Sequence, residues 1–299
     1  MSETGHPSPV LRGLDHRTLA AIAAAVVGAV LGVGQLWFGQ LAGVLAWRGS
    51  ASTTGTVDEA AIVIWLAASA TSVAAAVPTL LLKVRLASRR RRVVQTAMAV
   101  LGASLTVPVA TAVAAVSQMY GGDLSQLRVT RLVVYGVVLG GLVALIAVGS
   151  QPAAWSLLYW LVIGWVVMCG SVSAAPAISP VLGHLDPGPE WSEASRQWQA
   201  RMVLLAIAVV IGVALGAAAR LRDWRTGGLA SASRWTLPAA VMVGPGLMFA
   251  AYGAAAVDDG SVRGDVMADL LGAGLVAAVA THAGLRLASR AAPRPLRTM

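Results

Sequence analysis

The chain has 299 residues, of which 57% are hydrophobic and only 12% charged, with a mean hydropathy of +0.74. Ordinary soluble domains carry about 25% charged residues, so this composition excludes a soluble globular protein and points to an all-α, polytopic transmembrane helix bundle. The formal net charge of +9 does not imply a nucleic-acid partner, because the basic residues flank apolar runs, where they orient a membrane protein and meet anionic lipid headgroups.

Residues 1–17 read as a cytoplasmic tail, 18–286 as the transmembrane domain and 287–299 as a basic cytoplasmic tail. About 20 apolar residues at 1.5 Å rise cross a hydrocarbon core of roughly 30 Å. Eight runs meet that length within the accuracy of boundary assignment. They are Thr18 to Trp47, Ala60 to Leu82, Val93 to Val116, Leu132 to Gly149, Trp155 to Ala175, Met202 to Ala219, Trp235 to Val257 and Val266 to Leu285. The first run is about twice as long as the 7 to 15 residue apolar core of a signal peptide, so it is expected to be retained. The break between spans four and five rests on Pro152 alone, because Ser150 to Ala154 carries no charge.

Sixteen of the 22 basic residues fall on one side of this alternating chain, among them the run Arg89-Arg90-Arg91-Arg92. The positive-inside bias puts that side, and both termini, in the cytoplasm. Trp47, Trp155, Trp224 and Trp235 lie at span ends, where an indole favours the headgroup layer. No Asn occurs and Lys83 is the sole lysine. That usage suggests a GC-rich bacterial genome and hence the bacterial plasma (inner) membrane. The single cysteine, Cys169, excludes an intramolecular disulfide.

Two features suggest internal organisation. Four spans return the chain to its starting side, so a 4+4 parallel repeat is conceivable. Pro108 before Asp123 in span three matches Gly244-Pro245-Gly246 before Asp258-Asp259 in span seven, and spans two and eight both end in Arg-Leu-Ala-Ser-Arg. The pairs Gly28/Gly32, Gly136/Gly140 and Gly212/Gly216 have the spacing of close helix contacts. Pro176 to Arg201 is the longest loop and is too short for a domain core. Within it Trp191, Ala194, Trp198 and Met202 recur at helical spacing, as in a helix lying on the outer interface.

The candidate site is the pair of proline interruptions, comprising Pro108, Ser104, Thr106, Gly244, Pro245 and Gly246, since discontinuous helices carry the midplane sites of many transporters. Asp269 and His282 are the ionisable residues inside predicted spans and are candidates on that ground. Thr56 to Glu59 has capping-box spacing before an apolar run, so Asp58 and Glu59 are expected to serve a helix start. No catalytic, metal-ligating or cofactor-binding motif occurs. The expected function is a small permease-like or substrate-binding membrane protein. The alternative is a non-catalytic scaffold or accessory subunit that docks a membrane-protein partner or a second copy of itself. An enzyme acting on a lipid-linked substrate through the external acids is a third reading.

Overall fold

The computed structural model describes residues 16–45, 53–81, 88–119, 125–174, 180–182, 184, 192–226 and 233–291. Among these the chain is entirely helical, with ten elements. They are α1 (His16–Leu41), α2 (Thr53–Leu81), α3 (Arg89–Ser104), α4 (Thr106–Met119), α5 (Gln126–Ala147), α6 (Gln151–Ala174), α7 (Glu193–Thr226), α8 (Ser233–Val241), α9 (Val243–Asp259) and α10 (Gly264–Ala291). Seven stretches are long and apolar enough to cross a membrane, with α3 and α4 acting as one interrupted span from Arg89 to Val116. The seventh predicted span, Trp235 to Val257, falls on α8 and α9 together and is not among these seven. Of the two helices, α9 has 17 residues, about 26 Å at 1.5 Å per residue. The protein is a polytopic helical membrane bundle.

The disputed break at residues 150–154 is present. Gly149 and Ser150 donate to the carbonyls of Ile146 and Ala147, which tightens the end of α5. The Ser150 hydroxyl then accepts from the Ala153 amide. Pro152 occupies the first turn of α6, where its missing N–H has no intrahelical role.

Helix α2 is the centre of the bundle. Its membrane-crossing window is 94% buried inside the protein, against 33% to 44% for the other six, and α1, α3, α5, α6 and α9 pack around it. The sequence permits this because Ala60 to Ala76 is apolar or small on every face. The hydroxyls of its buried middle turn back to the helix, and Ser69 is also shared with the Gln35 side-chain oxygen of α1, 3.2 Å away. Ser69, Thr71 and Ser72 donate to the carbonyls of Leu66, Ala67 and Ser69.

Glycines let the neighbours close on one another. Gly136 and Gly140 of α5 lie against the Ile64 and Ala68 carbonyls of α2. Gly28 and Gly32 of α1 meet α3 and Thr106, while Gly212 and Gly216 of α7 meet the Ala277 and Thr281 carbonyls of α10. All three predicted glycine pairs are therefore used within one chain. Pairing of the second with the fourth span recurs in the two halves as α2 with α5 and α7 with α10. The halves are nonetheless unequal, because α7 is as lipid-exposed as most spans whereas α2 is enclosed.

Two boundaries move relative to the sequence expectation. Helix α2 starts at Thr53, so Thr56, Asp58 and Glu59 lie inside it and form no N-terminal capping box. The stretch expected to form a separate interfacial helix is continuous with α7 from Glu193. Trp198 and Met202 are exposed there, at 64% and 48%, and Trp191 lies outside the described residues.

The packing makes a measurable statement. A methyl at Gly140 would overlap the Ala68 carbonyl oxygen and come within 2.8 Å of the Ala68 Cα, whereas one at Gly272 would meet nothing within 4 Å. Gly140→Ala should therefore lower stability by about 1–3 kcal/mol through overpacking. Gly272→Ala should be neutral or stabilising by up to about 1 kcal/mol through helix propensity. Unfolding titrations in mixed micelles would check both signs.

Candidate functional site

The proline interruptions are real helix breaks. Leu105 separates α3 from α4 three residues before Pro108, and Met242 separates α8 from α9 three residues before Pro245. They do not meet. Helices α3 and α4 pack on α1, α2 and α5, whereas α8 and α9 pack on α2, α5, α6, α7 and α10.

Their local chemistry also differs. Pro245 cannot donate to the Val241 carbonyl four residues earlier, and Ser156 of α6 supplies the missing donor, with its hydroxyl 2.7 Å from that oxygen. Gly244 makes room for the Trp160 indole and Gly246 faces open space. Pro108 is exposed on the bundle surface. Ser104 returns its hydroxyl to the Leu101 carbonyl at 2.7 Å. Thr106 is buried against Gly32, with its hydroxyl unpartnered among the described residues.

The chemistry concentrates elsewhere, at the end of the bundle opposite the Arg89–Arg92 run. We call this the acidic end. In the second turn of α2, Asp58 is 3% exposed. One of its carboxylate oxygens meets Arg263 Nη1 at 2.5 Å and the other accepts from the Tyr252 hydroxyl at 3.1 Å. Tyr252 of α9 is fully buried, and its oxygen also accepts from the Leu182 backbone N–H at 3.1 Å. Arg263, between α9 and α10, reaches Asp265 as well, at 3.3 Å. Glu59 is buried beside Asp58 at 7% exposure and has its own polar partner.

A second cluster lies on α5 and α9. Arg128 donates from Nε to Asp258 at 2.8 Å and from Nη2 to Asp259 at 2.5 Å, while Arg131 stands 3.3 Å from Asp258. Thr56 of α2 donates to Asp259 at 3.1 Å. Helix-end electrostatics explain the pairing. Arg128 sits in the first turn of α5, where the dipole disfavours cations, and the two aspartates occupy the last turn of α9, where it disfavours anions. Each charge corrects the other's placement. Gly260, at φ +73°, stops α9 in a left-handed cap directly after Asp259.

Asp269, picked out from the sequence, belongs to a third group. It accepts from Arg201 Nε at 2.9 Å and lies 3.4 Å from His184 Nε2. His282 is half-buried toward the other end of α10, has a partner of its own and is not part of this group. Among the described residues no cluster of three or more metal-ligating side chains forms.

The sequence reading placed Asp58 and Glu59 in a cap and Asp258 and Asp259 beyond a span end, and so missed the first two networks, while Asp269 of the third was picked out. A usable signal was present, because Arg128 and Arg131 are three residues apart on one helical face and need counter-charges near a membrane. No protein-family model, curated protein or solved structure matches the chain.

Two expectations follow. Asp58→Ala leaves the Arg263 guanidinium without its buried partner and should cost about 3 kcal/mol. The double change Asp58→Ala/Arg263→Leu should recover much of that loss in a double-mutant cycle. Burial holds the pKa of His184, outside the spans, below its ordinary value near 6.5, with Asp269 and Asp265 opposing that shift and Arg263 and Arg201 adding to it. The unfolded chain thus takes up a proton that the folded chain refuses. The stabilisation is complete above about pH 6.5 and is lost as the pH falls toward the lowered value. His184→Gln should flatten that part of a stability–pH curve.

Proposed function

We propose that this multi-pass membrane protein is a small permease-like or substrate-binding protein, with its acidic end facing outward and both termini inside. The acidic end serves as its gate and charged-ligand site. One observation carries the reading: buried charge joins the first four spans to the last four at a single end. Asp58 and Thr56 on α2, and Arg128 and Arg131 on α5, reach Tyr252, Asp258 and Asp259 on α9 and Arg263 beyond it.

Burying ion pairs is a poor route to stability, since apolar replacements often serve as well. Ionisable groups inside spans mark ligand or ion paths by default. Layered pairs that join two halves at one face are suited to open and close, since each is satisfied only while the halves are together. The proline breaks then act as bends within each half rather than as one shared midplane site.

The scaffold alternative draws on one observation, the exposed Trp198 and Met202 in the first three turns of α7, at the start of its membrane-crossing stretch. It leaves the buried charges at the acidic end without a role.

Accessibility separates the two readings without knowledge of the substrate. In a Cys169→Ser background, a cysteine at Ser69, buried in α2 below the acidic layer, should react slowly with an impermeant maleimide added outside. Arg128→Ala combined with Arg263→Ala should raise that rate at least about tenfold, a shift of about 1.4 kcal/mol in the opening equilibrium. A panel of small charged solutes should include at least one that protects the site and raises Tm, and Asp58→Asn should abolish its effect. Unchanged labelling together with no responding solute would transfer the protein to the scaffold reading.

A further inference from the structure

At the opposite, basic end a cleft of about 600 Å³ opens between α1 and α3, lined by Thr18, Ala21, Ser88, Arg90, Arg91 and Val94 with Gln95. The geometry points to this cleft as a binding site for a phosphate group, as carried by an anionic lipid headgroup or by free phosphate. Three observations independent of the acidic end support it.

The first is an electrostatic deficit. Four arginines, Arg89 to Arg92, occupy the first turn of α3, which contains no acid, so all four stand where the helix dipole repels cations. Arginines in the equivalent position on α5 are answered by Asp258 and Asp259. Neither Arg90 nor Arg91 has an ion-pair partner among the described residues, and both face the cleft. An anion seated there would neutralise the guanidiniums and meet the positive end of the helix at once.

The second is a fixed floor with free donors above it. Gln95 is buried and its side-chain nitrogen donates to the Ala75 carbonyl of α2 at 2.5 Å, so the base of the cleft is anchored to the central helix. Ser88 is the N-cap of α3 in extended conformation, yet its hydroxyl makes no capping bond to its own helix. The hydroxyl remains available to a ligand.

The third is shape. Arg92 is taken up elsewhere, since a methyl on Gly149 would stand 2.5 Å from its guanidinium, which lies over the turn between α5 and α6. Arg90 and Arg91 are left to the concavity, beside Ala21 and the exposed Val94. Paired guanidiniums beside an apolar wall suit a headgroup phosphate with its glycerol and upper acyl chain.

Purified full-length protein in neutral maltoside would be titrated, at constant ionic strength, with phosphatidylglycerol, phosphatidylcholine and inorganic phosphate. Phosphatidylglycerol should raise Tm by roughly 3 °C, and phosphatidylcholine, whose phosphate is masked by choline, should not. An equal rise with inorganic phosphate identifies the free anion as sufficient, and a rise with phosphatidylglycerol alone identifies the lipid. Either result supports the site. Arg90→Gln/Arg91→Gln should abolish the rise, whereas Arg286→Gln, exposed on α10, should leave it intact. Val94→Trp keeps every charge but fills the cleft, and it too should abolish the rise. Equal responses from all variants would show diffuse attraction to a basic surface, and no response from the unaltered chain would show no site; either overturns the proposal.

Discussion

The structure depends on enclosing α2. A helix that touches protein on every side must present small or apolar residues all round, and it must dispose of each hydroxyl internally. Ala60 to Ala76 presents such residues, with Ser69, Thr71 and Ser72 bonded back to their own backbone and Ser69 also shared with Gln35 of α1. Lipid tails are as apolar as leucine, so no hydrophobic force gathers helices inside a bilayer and close packing must do it. The glycines of α5 that lie on the Ile64 and Ala68 carbonyls are how that packing is reached on one side of α2. Enclosure also fixes where chemistry can occur, because the only ionisable residues of α2 are Asp58 and Glu59, at its acidic end.

The charges follow a rule set by helix ends. Arginines begin α3 and α5, and aspartates end α9, all against the macrodipole. On α5 and α9 the mismatches cancel across the halves of the protein. On α3 the described residues offer no such cancellation for Arg90 and Arg91, and the mismatch opens into a cleft. Two ends of one bundle thus hold opposite solutions to the same problem, one closed by protein and one open to an outside anion.

Much of the fold was legible in the sequence. Hydropathy located the seven stretches long and apolar enough to cross a membrane, and Pro152 marked the uncharged turn between α5 and α6. The glycine pairs named three real contacts because only a residue without a side chain tolerates a carbonyl at that range. The candidate site was less legible. Thr56 to Glu59 has the spacing of a cap, and only the start of α2 at Thr53 reveals it as helix interior. Burial of Asp58 is decided by Tyr252 and Arg263, nearly two hundred residues or more away in sequence, and no local pattern carries such a distance. Pro245 was visible as a break. That Ser156 answers it could be known only from the packing of α6 on α8 and α9.

The separation of Asp58 from its partners has a consequence for biosynthesis. Arg263 follows Asp58 by 205 residues and Tyr252 by 194. At about 5–20 residues per second of translation, α2 leaves the ribosome roughly 10–40 s before the groups that satisfy its carboxylate exist. During that interval Asp58 and Glu59 are a helical turn or two from the start of α2, close enough to the headgroup layer to stay hydrated while the apolar remainder inserts. Arrival of α9 and α10 then draws the acids into protein, so closure of the acidic end is the last event of assembly, and a chain truncated before α9 would enter the bilayer with α2 unable to bury its own first turns.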